Sequence, residues 1–274
     1  MTTIGLIAGN GQFPFLVLRA ARQLGHRVTV VAIKDETFPE LETLATELGE
    51  TSFHWISLGQ LGKCIAAFKN TSVSRAVMAG QVKHVKLFGG VVPDMTLMKV
   101  MFKLTSKNTD ALISAVVEVL QESGITLMDS TALLSDLLAK PGVLTSKAPD
   151  DAMQADFDFG YKVADKIAGV DIGQTIVVKD RAVVAVEAME GTDQTIARAG
   201  ALAGTGSRVV KVAKPRQDMR FDVPVVGVAT INAMVAAGAD GLTIDAGKTL
   251  VLDGNAFIDA ANAAGIVVIG RATT

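Results

Sequence analysis

Cysteine is almost missing from this sequence, with Cys64 the single one in 274 residues. A lone thiol cannot close an internal disulfide or build a thiolate metal cage. Its neighbours Ile65, Ala66 and Ala67 have the character of a packed helix, which points to a buried thiol before a nucleophile. Histidine is nearly as scarce: His26, His54 and His84 are scattered without zinc-ligand spacing. Aromatic residues make up 5% of the chain and the net charge is −2, so neither stacking rings nor a basic stripe is available for nucleic acid. Nucleic-acid binding is therefore excluded. Long apolar runs are absent too. Although 49% of residues are hydrophobic, none of the runs reaches the roughly 18 residues that a membrane span needs. The start, MTTIGLIAGNG, moves directly into a strand pattern and lacks the basic segment, apolar stretch and cleavage site of a signal peptide. A soluble cytoplasmic protein is expected.

What is present is alternation. TIGLIAG reads as a strand, NGQF as a polar turn, Pro14 to Leu24 as a helix with proline in its first turn, and RVTVVAI as a second strand. The same rhythm continues through SFHWIS, LGQLGKCIAAFK, SRAVMAG, a helix around MTLMKVMFK, the helix DALISAVVEVLQESG and the strand ITLMDS. Strands separated by helices predict a parallel sheet covered on both faces, a Rossmann-like first domain over residues 1–130. Residues 131–150, with Pro141 and Pro149 and little periodicity, read as a linker. The second domain, residues 151–274, opens on a helix that carries Met153, Phe157, Tyr161, Ala164 and Ala168 on one face. TIVVKDRAVVAVEA then reads as a hairpin turning at Lys179, Asp180 and Arg181, and the strands SRVVKVA, GLTIDA, TLVLD and IVVIG alternate with helices. The expected class is α/β, with a parallel N-terminal sheet and a mixed C-terminal one.

Several stretches could carry chemistry. AGNGQFP, residues 8–14, links a strand to a helix, where small residues let backbone N–H groups approach a phosphate. Pro14 occupies the third glycine position of the dinucleotide fingerprint, which argues against a nicotinamide cofactor even though Asp35 sits about where a ribose-binding acid belongs. A tight turn without a ligand is the alternative. AGQVKHVKLFG, residues 79–89, leaves a strand end with Gln81, Lys83, His84 and Lys86, either to neutralise a diphosphate or as an exposed basic loop. In SKNTDALI, Asn108 or Thr109 is a helix cap by default, and a substrate role for Lys107, Asn108 or Asp110 needs other support.

The second domain holds denser signals. EAMEGTD, residues 187–193, ends an apolar strand with Glu187, Glu190, Thr192 and Asp193. Thr192 or Asp193 could cap the next helix, or the carboxylates could serve a hard divalent cation such as magnesium, which takes one or two carboxylates plus waters and substrate phosphates. KPRQDMRFDVPVVG, residues 214–227, offers Asp218 and Asp222 as oxygen ligands or water activators. Lys214, Arg216 and Arg220 could balance phosphate charge, with Pro215 and Pro224 restraining the loop. Charges that cancel on a surface loop are the plainer alternative. The Met and Phe residues of MTLMKVMF, residues 95–102, are either a buried helix face or a wall for apolar ligand.

In order along the chain, GLIAGNGQFP, AGQV, NTDALI, DIGQTIVV, AVEAMEGTD, KVAKPRQDMRFDVPVVGVATI, DAGKTLVLD and the ending AANAAGIVVIG resemble the LpxI-type UDP-2,3-diacylglucosamine pyrophosphatases of lipid A biosynthesis. The likeness spans nearly the whole chain, and EGTD followed by KPRQDMRFDVP is its most specific part. It implies a two-domain enzyme taking a nucleotide glycolipid in a cleft between the domains. The implied reaction is magnesium-dependent hydrolysis of the diphosphate to UMP and 2,3-diacylglucosamine 1-phosphate (lipid X). Asp222 matches the family's candidate metal-associated catalytic aspartate. On that basis Asp222 and Asp193 are expected to be catalytic and to hold Mg2+, with Glu190 and Asp218 as further metal candidates. Substrate contacts are expected from Gly9, Asn10, Gly11, Gln12, Gln81, Asp110, Thr192, Lys214, Gln217 and Arg220. Two positions depart from the family pattern: Asn108 and Thr109 precede Asp110 where Gly-Asp is frequent, and Asp245 stands where Glu is frequent.

Because the substrate resides in a bilayer, the resemblance also implies transient contact with the inner membrane surface. A homodimer is one option for the assembly, which the sequence does not set. Two rival readings make other predictions: a carrier module would bind a nucleotide sugar or lipid without releasing UMP, and an NAD-dependent oxidoreductase would bind NAD(H).

Overall fold

A computed structural model describes residues 2–82, 92–103 and 109–272, with the backbone alone described at 103 and 109–111. The chain divides into two compact units, Met1–Leu134 and Ser135–Thr274.

In the first unit, β1 (Thr3–Ala8), β2 (Arg27–Ile33), β3 (Thr51–Ile56), β4 (Arg75–Ala79) and β5 (Thr126–Leu127) form one parallel sheet in the order β3-β2-β1-β4-β5. Nearly every residue of β1 and β2 is buried, as expected for central strands covered on both faces. The first helix, α1 (Phe13–Gln23), buries Phe13, Val17, Leu18 and Ala21 at helical spacing. The chain turns after it at Gly25, whose φ of +78° is left-handed. Helices α2 (Glu40–Leu48) and α3 (Leu61–Asn70) follow. Cys64 of α3 is buried and its thiol pKa is pushed up to about 12 by burial, in agreement with a packed thiol.

Helix α4 (Met95–Lys103) buries Leu97 and Val100 but exposes Met95 (71%), Met98 (38%), Met101 (52%) and Phe102 (87%). The reading of these Met and Phe side chains as a buried face is thereby corrected, since the two aliphatic residues provide that face. Asp94 fixes the start of the helix, accepting from Leu97 N at 2.9 Å and from Gly62 N of α3 at 2.7 Å. After α5 (Thr109–Glu122) the expected strand ITLMDS shrinks to β5, because the chain turns away where Asp129 binds the backbone and hydroxyl of Thr131.

In the second unit a six-stranded mixed sheet runs in the order β6-β13-β11-β9-β7-β8. Its members are β6 (Gly142–Val143), β7 (Thr175–Lys179), β8 (Ala182–Val186), β9 (Ser207–Lys211), β11 (Ala239–Asp245) and β13 (Val267–Arg271). β9, β11 and β13 are parallel, while β7 runs antiparallel to β9 and to β8. Helix α6 (Asp151–Gly169) covers one face, where its Met153, Phe157, Ala164 and Ala168 meet Ile176, Val178, Val210 and Val212. The opposite face is covered by α7 (Thr192–Ala203), α8 (Val228–Ala237) and α9 (Asn255–Ala263), which bring Ile196, Ile231, Met234 and Phe257 against Val177, Val209, Leu242 and Val268.

The expected hairpin is present, with Asp180 (φ 51°) and Arg181 (φ 58°) both left-handed, as a primed two-residue turn demands. Neither residue is glycine. Buried Asp156 of α6 offsets the strain by accepting from Arg181 N at 2.6 Å and Asp180 N at 3.2 Å. The stretch TLVLD contributes β12 (Leu250–Val251) to a separate parallel pair with β10 (Val225–Val226) rather than a further strand of the main sheet.

Candidate functional site

Strand periodicity assembles a polar row from three neighbouring strands. On β9, Val209 faces α7 to α9 and Val210 faces α6, so Lys211 returns to the α7 side. On β7, Val177 sets the same face for Thr175, and just beyond β8, Ala185 sets it for Glu187. Register completes the row, since Thr175 pairs with Lys211, and Glu187 N donates to Thr175 O at 2.8 Å. Glu187, Thr175 and Lys211 thus stand side by side, all buried, where α7 begins.

The start of α7 meets this row. Gly191, with φ +84°, occupies the N-cap position, so Thr192 is the first helical residue and the expected cap by Thr192 or Asp193 is not formed. The Thr192 hydroxyl turns to the sheet instead. It donates to Glu187 Oε1 at 2.9 Å and accepts from Lys211 Nζ at 2.6 Å, with Thr175 Oγ1 at 3.3 Å. The second Glu187 oxygen accepts from Gln174 N at 3.2 Å. Gly173 has to be glycine because a Cβ there would run into the Glu187 carbonyl. Burial pulls the Lys211 ammonium below the ordinary lysine value, against the upward pull of the charges of Glu187, Asp193 and Asp222.

The loop after β9 adds the next layer and is held at both ends. Ala213 N donates to buried Asp245 at 2.8 Å, and Leu250 N donates to Pro224 O at 2.9 Å. Burial raises the Asp245 carboxyl above its ordinary value. Within the loop, Lys214 Nζ binds Asp222 at 3.0 Å and Asp171 at 2.5 Å, while Gln174 Nε2 donates to the other Asp222 oxygen at 3.2 Å. Gln217 takes the Lys214 backbone N–H at 2.7 Å. Asp193 is exposed in the first turn of α7 and has no hydrogen-bond or ion-pair partner among the described residues.

Of the residues expected from sequence, Thr192, Asp193, Lys214, Gln217 and Asp222 therefore gather around Lys211 or on its loop. Asp218 and Arg220 bind each other through paired contacts, Nε to Oδ1 at 2.9 Å and Nη2 to Oδ2 at 2.7 Å. Glu190 is engaged by Arg198 at 2.5 Å and by Ala188 N at 3.1 Å. The side chain of Asp110 lies outside the described residues, as do Lys83, His84, Lys86, Lys107 and Asn108. Among the described residues no three His, Cys, Asp or Glu side chains converge as a metal cage. A hard cation that also takes phosphate oxygens needs only one or two carboxylates, and of the expected metal candidates Asp193 and Asp222 are the two whose charges act on Lys211.

Sequence reasoning passed over Lys211, Gln174 and Asp171. Lys211 did leave a signal, an ammonium inside the apolar strand SRVVKVA, since lysine is almost never fully buried without partners.

Arg220 holds the Asp218 carboxyl below its ordinary range through hydrogen bonds. A depressed folded value means that the stabilisation is complete above the unfolded carboxylate pKa of about 3.9. It is lost as pH falls through the folded value. Asp218→Asn is expected to lower the melting temperature modestly near neutrality, with the gap to the parent closing below about pH 4. A gap unchanged down to acid pH would show that the ion pair does not stabilise the loop.

In the first unit, the glycine turn and the AGQV segment are stitched together where β1 and β4 end. Gly9 N donates to Ala79 O at 2.8 Å and Asn10 N to Gln81 O at 2.7 Å. A Cβ on Gly9 would sit 2.6 Å from the Gln81 carbonyl. The N–H groups of Gly9 and Asn10 are thus engaged by protein, whereas those of Gly11 and Gln12, just before α1, have no acceptor among the described residues.

Comparison with known proteins agrees with this architecture. The family model described as LpxI N-terminal domain matches residues 3–137, and the one described as LpxI C-terminal domain matches residues 140–269. The UDP-2,3-diacylglucosamine pyrophosphatase LpxI of Caulobacter vibrioides is 31% identical over 282 residues, covering 98% of each chain. Two solved structures are far more distant. Isoflavone reductase is 11% identical with a TM-score of 0.30, over 100% of this chain and 79% of that one. The biotin carboxylase domain of thermophilic 2-oxoglutarate carboxylase bound to ADP is 12% identical with a TM-score of 0.28, over 64% of this chain and 34% of that one. Neither carries an argument. With both family domains matched in order and a relative aligned from end to end, the chain belongs to the LpxI family.

Proposed function

We propose that this chain is a magnesium-dependent UDP-2,3-diacylglucosamine diphosphatase of lipid A biosynthesis. Water adds to one phosphorus of the diphosphate as the bridging P–O bond breaks, giving UMP and 2,3-diacylglucosamine 1-phosphate. The bridging oxygen stays on the departing phosphate, and the protons of the water pass to a carboxylate and to solvent. The observation that carries this reading is the end-to-end relationship to a protein named for that pyrophosphatase activity.

The chemistry of the residues supports it. Diphosphate hydrolysis requires charge neutralisation and an oriented water, and neither a thiol nor a histidine is needed. Asp222 and Asp193 would hold Mg2+, which supplies charge neutralisation at the phosphates when bound. Asp222, oriented by Gln174 and Lys214, is assigned the positioning and deprotonation of water. Lys214 and Gln217 are assigned to phosphate and sugar contacts, with Arg220 joining on release from Asp218. In the first unit, the assignment of the glycine turn to substrate rests on Gly11 and Gln12, whose N–H groups stand ready at the start of α1.

Incubating purified protein with UDP-2,3-diacylglucosamine should release UMP with magnesium present and stop on addition of EDTA. Release unaffected by EDTA would remove the metal. Substrate binding with no UMP in either condition would leave a carrier module.

The exposed Met and Phe side chains of α4 are assigned to the lipid surface in which the proposed substrate resides. Replacing Met98, Met101 and Phe102 together with serine is expected to reduce co-sedimentation with anionic phospholipid vesicles severalfold. Hydrolysis of detergent-dispersed substrate should be retained. Equal vesicle binding by parent and variant would sink this assignment.

A further inference from the structure

Lys211 is the least expected side chain in the second unit. It ends a strand of which the preceding Val209 and Val210 are fully buried, and it is itself 7% exposed. An ammonium has three donors, and burying one that is not fully matched is costly. Among the described residues its single hydrogen-bond acceptor is Thr192 Oγ1 at 2.6 Å. No carboxylate there lies within salt-bridge distance of Nζ, although the charges of Glu187, Asp193 and Asp222 all act on it. A lysine serving only as counter-charge to Glu187 would touch that carboxylate, but Thr192 stands between them and passes the contact on.

Two of its donors therefore have no acceptor among the described residues and are open to a ligand. The neighbourhood limits what that ligand can be. An acceptor is required, and a negatively charged one suits a desolvated ammonium; a phosphate would be compatible with the nearby carboxylates if a divalent cation were bound at the site. The first turn of α7 adds the positive end of a helix beside the ammonium.

We propose that Lys211 is a further substrate-contacting residue of the diphosphatase, with Thr192 as its positioning residue. Its ammonium donates to a non-bridging oxygen of the diphosphate and stabilises the charge that grows there as the anhydride bond breaks. Thr192, anchored by Glu187, fixes one donor so that the other two point at the phosphate. The proposal rests on the hydrolytic reading above and names a side chain which that reading does not require. Arg220 and Lys214 are already matched by Asp218 and by Asp171 with Asp222, whereas Lys211 reaches bound phosphate without breaking an ion pair.

The test uses the full chain and three variants, Lys211→Met, Lys211→Arg and Thr192→Val. UMP release is measured beside calorimetric binding of UDP in magnesium, with circular dichroism to verify folding. Removing one preorganised donor to a developing oxyanion lowers kcat by about 10²–10³-fold, so that loss is expected for Lys211→Met. UDP binding should weaken about tenfold, the difference made by a single lost contact of roughly 1.4 kcal/mol. Lys211→Arg should recover part of both losses. Thr192→Val should lower kcat more than it raises KM, because the ammonium stays while its orientation is lost. A folded Lys211→Met with parental kcat and UDP affinity overturns the proposal.

Should Lys211→Met not fold, Thr192→Val decides, and parental kcat in that variant overturns the arrangement. If the parent binds UDP but releases no UMP, the hydrolytic reading fails by itself. Lys211 is then judged on UDP binding, where loss in Lys211→Met supports it and parental binding overturns it. A parent that neither binds UDP nor releases UMP removes both.

Discussion

Asp222→Ala is expected to lower magnesium-dependent UMP release by about 10²–10⁴-fold, the range of a positioned base or a charge-stabilising group. The loss should appear in kcat and leave the protein folded. Asp222 lies on a loop pinned at both ends by contacts that it does not make, those of Ala213 with Asp245 and of Leu250 with Pro224. Its side chain is 30% exposed, so removal opens little of the core. Lys214 retains Asp171 in the variant, which prevents a stranded cation. Asp222→Asn separates the two roles of the carboxylate. The amide keeps an oxygen for Gln174 but can neither take a proton from water nor hold a cation well, so it should be nearly as inactive as alanine. Near-parental turnover by a folded Asp222→Ala would remove Asp222 from the mechanism.

The second large effect is expected at Glu187, and it falls on stability as well as on rate. Glu187 accepts from the Thr192 hydroxyl and the Gln174 backbone and supplies the strongest of the charges that act on buried Lys211. Glu187→Gln keeps the shape and removes the charge, leaving the ammonium desolvated with its balance reduced. Breaking one side of a contacting buried ion pair costs about 3–5 kcal/mol, which is an upper bound here because Glu187 reaches Lys211 only through Thr192. Thr192 softens the loss because it bonds Lys211 directly, so the lower end is expected in urea unfolding.

Combining Glu187→Gln with Lys211→Met should recover much of that stability, since the stranded cation disappears with its partner. Activity should not return. A double variant whose losses simply add would show that the two side chains are not coupled. That outcome would break the chain of contacts from Glu187 through Thr192 to Lys211.

Much of the architecture was legible because it follows from periodicity. The continuous apolar runs of β1 and β2 could only be covered parallel strands. The KDR turn announced the hairpin, and the face bearing Met153, Phe157, Ala164 and Ala168 is the one that α6 buries. Short or irregular pieces were harder to read. ITLMDS has strand composition, yet only Thr126 and Leu127 pair, because pairing ends where a turn captures the backbone. TLVLD was correctly an extended piece but joins β10, a choice made by the return path of the loop rather than by its own residues. The Met and Phe side chains of α4 could not be assigned to core or surface from spacing, since Leu97 and Val100 satisfy the same period.

The candidate site divides along the same line. By itself the sequence determined two α/β halves and singled out EGTD and KPRQDMRFDVP, because local chemistry concentrates acids, bases and turn residues there. It also indicated the reaction class through resemblance. Which of those charges meet was decided only by tertiary structure. Asp218 and Arg220, two residues apart, close on each other, whereas Asp222 reaches back across the fold to Gln174 and Lys214. Lys211, Thr175 and Glu187 belong to three separate stretches. They become neighbours because strand register and side-chain alternation bring them to one face of one sheet, beneath the first turn of α7. Register is a pairing between distant segments, and no single segment contains it.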